Sequence, residues 1–139
     1  MAEDTSNWTL VGLVARQAEA QGEREFMSFE HGTALTFASL HRDSDDLARR
    51  LAGLGVGPDD RVMVMLKNRI EFMLAMLAIM KLGAIFVPIN TELKGAFLEH
   101  QMRNAEPRVV FLDADLRDAF DAVQGGNESL VATIYVAGD

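Results

Sequence analysis

Apolar and polar positions divide the chain into two parts with different patterns. In the first part, apolar residues recur at helical spacing after Thr9 and again after Thr36, which predicts two helices. Each threonine is a predicted N-cap, because its hydroxyl can accept a hydrogen bond from a backbone N–H of the first turn. Between the helices, the two short apolar runs of EFMSFEHGTALT flank Glu30-His31-Gly32 and predict a β-hairpin.

From Arg61 onward, short apolar runs alternate with helical patterns. RVMVML, AIFVPI and RVVFLD are apolar on both faces, which is typical of strands in a parallel sheet that helices cover. The alternation predicts an α/β fold, in which a mostly parallel sheet with flanking helices follows the N-terminal β-hairpin. The predicted helices run from Ile70 to Leu82, Lys94 to Asn104 and Leu116 to Val123, and the last predicted strand runs from Ala132 to Val136.

Two patterns predict where the helix from Ile70 to Leu82 begins and ends. Asn68 is followed three residues later by Glu71, which predicts a capping box at the helix start. Gly83 is predicted to end the helix, because glycine readily adopts the left-handed backbone that follows many helices.

The stretch GLGVGPDD places Gly53, Gly55 and Gly57 at alternate positions, a spacing that raises the question of phosphate binding. A dinucleotide-binding loop has its glycines after a strand and before a helix, so that the helix start faces the phosphate. Here the glycines follow a predicted helix, whose C-terminus carries a partial negative charge, and precede a predicted strand. The stretch therefore predicts a helix end at Gly53 or Gly55 and a turn at Pro58-Asp59-Asp60.

Composition excludes several classes of function. The 139 residues, 49% of them hydrophobic and 24% charged, are those of one globular domain. There is no cysteine, which excludes disulfides and thiol catalysis, and His31, His41 and His100 share no spacing typical of metal ligands. The formal charge of −8 disfavours nucleic-acid binding, which needs a basic surface.

The sequence predicts a cytoplasmic protein without a membrane span. The acidic N-terminus MAEDTSNW is unlike a signal or transit peptide, and we expect residues 1–7 to be disordered. The longest unbroken apolar run, from Phe72 to Met80, is too short to cross a bilayer.

Two motifs resemble the opening region of a known enzyme family. LTFASL is similar to a Leu-Thr-Tyr-x-Glu-Leu motif, and MKLGAIFVPIN is similar to a Lys-x-Gly-Ala-x-x-Val-Pro-Ile/Leu-Asn/Asp motif, of the adenylate-forming acyl-CoA synthetases, the AMP-binding ligases. The resemblance extends from about Trp8 to the end of the chain. Ser39 stands where the family usually has glutamate, and we expect its loss to weaken the start of the second helix slightly. INTELKGAFLEHQMRNAEPRVVF most resembles members that act on small or medium acids, including the carnitine/crotonobetaine-CoA ligase-like group.

The resemblance implies that this chain, a single incomplete domain, is an N-terminal segment of a longer ligase, here called the parent enzyme. Such enzymes use Mg²⁺ and ATP to convert a carboxylic acid into an acyl-adenylate and pyrophosphate, and coenzyme A then displaces AMP. Their phosphate-binding loop, hinge aspartate and catalytic lysine lie further along the chain. We therefore expect no catalytic or metal-binding residue here, no tight binding of these cofactors by the chain alone, and no activity. Its partners would be the rest of the parent enzyme, or a second copy held through exposed apolar surface.

The resemblance also points to candidate ligand-facing residues. Ligands of parallel sheets gather beyond the carboxyl ends of the strands, so the loops at 67–68, 88–93 and 113–117 are candidates. By motif position, Pro88, Ile89, Asn90 and Arg117 map onto residues near the nucleotide part of coenzyme A in similar enzymes. The alternative is that Asn90 only turns the backbone and that Arg117 is a solvated helix residue.

Two other classes of function are compatible with the sequence pattern. The chain could be a self-contained small α/β binding or interaction module without catalysis. The sheet pattern alone also suggests a nucleotide-dependent oxidoreductase, but the position of the glycines argues against it.

Overall fold

The first half of the chain folds into two helices joined by a hairpin. The structure is a computed structural model that describes residues 8–30, 32 and 34–138, so the predictions for residues 1–7 and for His31 lie outside the described residues. The expected hairpin is present, and its two strands pair antiparallel. The elements are helix α1 Leu10–Gln21, strands β1 Glu25–Ser28 and β2 Ala34–Thr36, and helix α2 Phe37–Gly53.

The second half alternates strands and helices as the sequence predicts. Its elements are β3 Arg61–Met65, α3 Ile70–Lys81, β4 Ile85–Pro88, α4 Gly95–Ala105, β5 Val109–Asp113, a single 3-10 turn Ala114–Leu116, α5 Arg117–Asp121 and β6 Ala132–Val136. Within the described residues, four strands form one sheet in the order β4-β3-β5-β6, and every neighbouring pair is parallel. The predicted α/β fold with a parallel sheet is confirmed.

Helices cover both faces of this sheet. On one face, α2 and α3 pack on β3 and β5, and Leu51 and Ile79 are fully buried there. On the other face, α4 and α5 bury Leu98 and Phe120 against Met65. Burying one such side chain contributes roughly 1.5–3 kcal/mol. A third cluster attaches α1 and the hairpin to α2 and α3 through Val14, Leu35, Leu40 and Leu77.

The glycine stretch ends α2, as predicted, and does so at Gly55 rather than Gly53. Gly55 has φ +82°, and its N–H donates to the carbonyl of Ala52 at 2.9 Å. The N–H of Val56 donates to the carbonyl of Leu51 at 3.1 Å, which completes a Schellman motif. Gly83 ends α3 in the same way, with φ +68°. These turns lie at the amino end of the sheet, far from where ligands of parallel sheets gather.

Two predictions about helix starts are wrong. Arg69, and not Asn68, is the N-cap residue of α3, and among the described residues no side chain caps it. Glu71 does not complete a capping box, because its carboxylate accepts a hydrogen bond from Arg69 Nε at 2.9 Å. At α2, Ser39 does not leave the cap incomplete: its hydroxyl accepts from Thr36 N at 2.9 Å and so replaces the usual glutamate.

The prediction that AIFVPI is covered on both faces is also wrong. β4 lies at an edge of the sheet, and Ile85 remains 44% exposed. The reason is that α4 crosses from β4 to β5 and places its buried residues against β3 and β5.

A buried lysine joins α2 to α3. The ammonium of Lys81 donates to Asp45 Oδ1 at 2.6 Å, to Ser44 Oγ at 2.8 Å and to the carbonyl of His41 at 2.9 Å. Its side chain is only 9% exposed, so these acceptors offset the desolvation of the charge. Asp45 is therefore part of a contact between α2 and α3.

Candidate functional site

The strand order creates a crevice between the carboxyl ends of β3 and β5. From β3 the chain leaves through α3 to one side of the sheet, where β4 lies, and from β5 it leaves through α5 to the other side, where β6 lies. Adjacent strands whose connections diverge in this way form a topological switch point, the usual ligand position in open parallel sheets.

A cleft of about 780 Å³ occupies this position, and we call it the switch-point cleft. Residues 67–71 after β3 form one wall, and Asp113 and Asp115 at the end of β5 form the other. Phe29 and Glu30 after β1 and Gly138 after β6 complete the rim. Two of the three predicted ligand-facing loops, those at 67–68 and 113–117, therefore meet in one cleft.

An ion pair lies at the base of the cleft. Arg69 Nη1 donates to Asp113 Oδ1 at 2.6 Å, and the other carboxylate oxygen accepts from the backbone N–H of Lys67 at 2.5 Å. The Asp113 side chain is only 4% exposed and that of Arg69 18%. Hydrogen bonds to a charged group of this kind are about twice as strong as those between neutral groups.

A second ion pair lies at the mouth of the cleft, where Lys67 Nζ contacts the carboxylate of Asp115. The hydrogen bond with Asp115 raises the pKa of Lys67, and the hydrogen bond with Lys67 lowers the pKa of Asp115. Both side chains are more than half exposed, so solvent screens the pair. It can open without the loss of a buried contact.

The charge of the cleft does not suit a polyphosphate. Lys67 and Arg69 are already paired with carboxylates, and Glu30 and Glu71 add further negative charge to the lining. Phosphates need uncompensated cations or a glycine-rich loop of N–H groups. In the part of the chain that the structure describes, no cluster of three or more histidine, aspartate and glutamate residues is arranged to hold a metal ion.

The structure places Pro88, Ile89 and Asn90 at the carboxyl end of β4, outside the lining of the switch-point cleft. Ile89 is half-buried against the α4 side of the core, and its N–H donates to the carbonyl of Val64 at 3.0 Å. The Asn90 side chain accepts from the N–H of Glu92 at 2.9 Å, a turn-forming bond. Pro88 and Asn90 are exposed.

Arg117 is the first residue of α5, and it too lies outside the cleft lining. Its guanidinium stacks over the ring of Tyr135, 3.9 Å from the ring centroid. This cation–π contact holds the side chain against β6. Arg117 is therefore exposed, but its side chain is held in place by Tyr135.

The sequence did not reveal the residues that pair within the cleft. Arg69 and Asp113 are separated by 44 positions, and neither belongs to a motif whose spacing indicates a pair. One signal is available: Arg69 follows one strand that is apolar on both faces, and Asp113 ends another. The carboxyl ends of such strands lie at the same edge of a parallel sheet.

A protein family and several known proteins match this chain over most of its length. The AMP-binding enzyme family model matches residues 14–139. The medium/long-chain-fatty-acid–CoA ligase FadD6 of Mycobacterium tuberculosis is 32% identical over 119 residues, which are 86% of this chain and 20% of that protein. Tyrocidine synthase 1 of Brevibacillus parabrevis is 34% identical over 98 residues, 70% of this chain and 9% of that protein.

Solved structures share the fold. The crystal structure of the anthranilate CoA ligase AuaEII in complex with anthranoyl-AMP matches with a TM-score of 0.87 at 22% identity, covering 93% of this chain and 25% of that one. This chain thus spans a quarter or less of these relatives. No helix in the described ranges has the length and apolar character needed to cross a membrane. On the family match over residues 14–139, the chain belongs to the AMP-binding enzyme family, the adenylate-forming ligases.

Proposed function

We propose that this chain is the N-terminal segment of an ATP-dependent acid–CoA ligase and that it is inactive alone. The observation that carries the proposal is the family match over residues 14–139, together with relatives of which the chain covers only a fifth or less. The acidic lining of the switch-point cleft supports the second part, because the cations described there, Lys67 and Arg69, are both paired with carboxylates.

The proposed reaction of the parent enzyme has two steps. A carboxylate oxygen attacks the α-phosphorus of Mg²⁺-bound ATP, pyrophosphate leaves, and an acyl-adenylate forms. The thiolate of coenzyme A then attacks the acyl carbon, and AMP leaves with the electrons of the broken C–O bond. Groups of the parent enzyme beyond this segment would hold ATP and Mg²⁺, and this segment would supply scaffold for the site.

Pro88, Ile89, Asn90 and Arg117 remain our proposed contacts to the nucleotide part of coenzyme A. All four lie at the carboxyl ends of β4 and β5, the edge at which ligands of parallel sheets bind. Arg117 supports this proposal best, because its stacking on Tyr135 fixes the guanidinium while leaving it exposed for a phosphate.

The carboxylic acid is proposed to be small or medium in size. The segment INTELKGAFLEHQMRNAEPRVVF, through its similarity to the carnitine/crotonobetaine-CoA ligase-like group, supports this choice. We further propose that the parent enzyme acts in the cytoplasm, where ATP and coenzyme A are available.

A self-contained binding module is the second candidate, and the buried core favours it. Fully buried residues such as Leu51, Val64 and Phe120 show that the described chain encloses its own core on both faces of the sheet. A module of this kind would be a tightly folded monomer that does not bind a dye specific for exposed apolar surface. A segment of a larger domain would bind the dye at the groove beside β6, where Ile134 and Val136 are only partly buried.

The experiment is pyrophosphate release by the parent enzyme with a panel of carboxylic acids, and with this chain as the control. We expect acid-dependent release by the parent enzyme and none by the chain. The proposal would be refuted by a parent protein that lacks a phosphate-binding loop rich in Ser, Thr and Gly and ending in Pro-Lys-Gly, or by one that activates no acid.

A further inference from the structure

Arg69 holds together three strand ends at the switch-point cleft. Its Nη1 donates to Asp113 at the end of β5, at 2.6 Å, and its Nη2 donates to the carbonyl of Ala137 just beyond β6, at 2.6 Å. Its own backbone lies between β3 and α3. One guanidinium therefore fixes the relative positions of the chain segments that leave β3, β5 and β6.

We propose that Arg69 is a positioning residue, which sets the shape of the switch-point cleft without contacting the ligand; this inference rests on the proposed ligase function. Each of its three nitrogens already donates to an acceptor, since Nε donates to Glu71 at 2.9 Å. Its charge is matched by the carboxylates of Asp113 and Glu71. A ligand could recruit this side chain only by breaking a buried ion pair.

The loop that Arg69 positions is the one that carries Lys67 and Asn68. Asp113 accepts from Arg69 with one oxygen and from the Lys67 backbone N–H with the other, so Arg69 fixes the loop through Asp113. The Lys67 and Asn68 side chains are exposed at the cleft. Among the described residues Lys67 is held by its screened pair with Asp115, and a ligand can recruit its side chain by displacing that carboxylate.

Arginine is suited to this role and lysine is not. The planar guanidinium reaches three acceptors in different directions, whereas an ammonium is a compact charge on a flexible stem. Arg69 is also the N-cap residue of α3, and no side chain among the described residues caps that helix. Arg69→Lys keeps the charge and removes the fixed geometry.

The first arm of the test measures amide hydrogen exchange in this chain, so that it does not depend on activity. We expect Arg69→Lys and Arg69→Gln each to accelerate exchange at the Lys67 N–H about tenfold, as loss of a charge-assisted hydrogen bond predicts. Exchange at Val64 in β3 reports global unfolding, and exchange at Lys67 that stays faster than at Val64 in the same variant shows a local opening of the loop. The matched control is Arg103→Gln on α4, which removes an exposed pair with Glu99 and should leave Lys67 unchanged.

Asp113→Asn provides a second way to break the same connection should either Arg69 variant fail to fold. It removes the negative charge of the carboxylate that accepts from both Arg69 and the Lys67 N–H. The contacts of Arg69 with Glu71 and Ala137 remain in place. We expect faster exchange at Lys67 in this variant as well. Unchanged exchange at Lys67 in the folded variants would overturn the inference.

The second arm uses the parent enzyme. We expect Arg69→Lys to lower kcat/KM for thioester formation about tenfold at a temperature where circular dichroism shows the variant folded, and Arg103→Gln to match the unaltered enzyme. Equal kcat/KM for Arg69→Lys and the unaltered enzyme would contradict a positioning role. A parent protein that activates no acid would refute the proposed function instead, and the exchange arm would still decide whether Arg69 positions the loop.

Discussion

At the scale of single residues, the decisive contacts are charged pairs that are distant in sequence. Arg69 pairs with Asp113 over 44 positions, and Lys81 pairs with Asp45 over 36. Hydrophobic spacing predicts which face of a helix is buried, but it carries no information about which partner a charge meets across the fold. For this reason the sequence predicts a capping box of Asn68 and Glu71, whereas Glu71 pairs with Arg69 in the structure.

The Arg69–Asp113 pair predicts a strong stability coupling. Arg69→Gln leaves the Asp113 carboxylate buried without its cation, so we expect a loss of about 2–4 kcal/mol in the free energy of unfolding. The double variant with Asp113→Asn should lose less than the sum of the single variants, by about 1–3 kcal/mol. Urea unfolding measures all three, and additive losses would show that the pair is not coupled.

The Asp45–Lys81 contact predicts acid sensitivity. Burial raises the pKa of Asp45, but the hydrogen bond and charge of Lys81, aided by His41 and Arg49, lower it by more, and the net pKa lies below its ordinary value. A carboxyl whose pKa is lower in the folded state than in the unfolded state stabilises the protein when the pH is above the unfolded-state pKa. This contribution is lost as the pH falls through the folded-state pKa. Urea unfolding at pH 7 and pH 3 should therefore show a smaller difference for Asp45→Asn than for the unaltered chain. An equal difference would contradict this assignment.

At the scale of elements, the sequence predicts nearly everything except the environment of β4. Strands β3 and β5 are recognisable because both of their faces are apolar, and the long helices because their apolar spacing is regular. The same two-face pattern in AIFVPI was misleading, because hydrophobicity does not report whether a strand is central or at an edge. α5 is shorter than predicted at both ends, because Leu116 belongs to the preceding 3-10 turn and Asp121 is the last residue of the helix.

The end of α2 provides a test with an internal control. Gly55→Ala should lower the free energy of unfolding by about 1–2 kcal/mol, because alanine is strained at φ +82°. Its Cβ would also lie 2.6 Å from Arg108 Nη2. Gly53→Ala is the matched control: it lies within the helix, its Cβ would meet no described atom within 4 Å, and it should be neutral or stabilise by up to about 1 kcal/mol. Thermal unfolding that ranks the two in the opposite order would refute the assignment of Gly55 as the left-handed residue.

At the scale of the whole molecule, the sheet is closed by helices on its faces and exposed at its edges. β6 pairs with β5 on one side, and its residues are only partly buried. The three buried clusters account for a stable core, whereas the groove beside β6 is the feature expected of a segment that packs against further protein.

The strand order, and with it the switch-point cleft, follows from no local pattern, because alternation of strands and helices is compatible with several orders.

This arrangement predicts that the strands of the sheet differ in their protection against amide hydrogen exchange. We expect amides of β3 to exchange more slowly than amides of β6, since β3 has a partner on each side and buried side chains on both faces. Hydrogen exchange resolved by residue on the purified chain measures this order. Equal, high protection of β6 would favour the self-contained module over the ligase segment.

Binding of ATP to the purified chain tests the central claim most directly. Titration calorimetry with Mg²⁺ and ATP should give no saturable heat at millimolar ligand, because the described cleft has its cations paired and the glycine stretch ends a helix instead of beginning one. Saturable binding of ATP in the micromolar range, at one site per chain, would contradict the claim that the nucleotide-holding groups lie outside this segment.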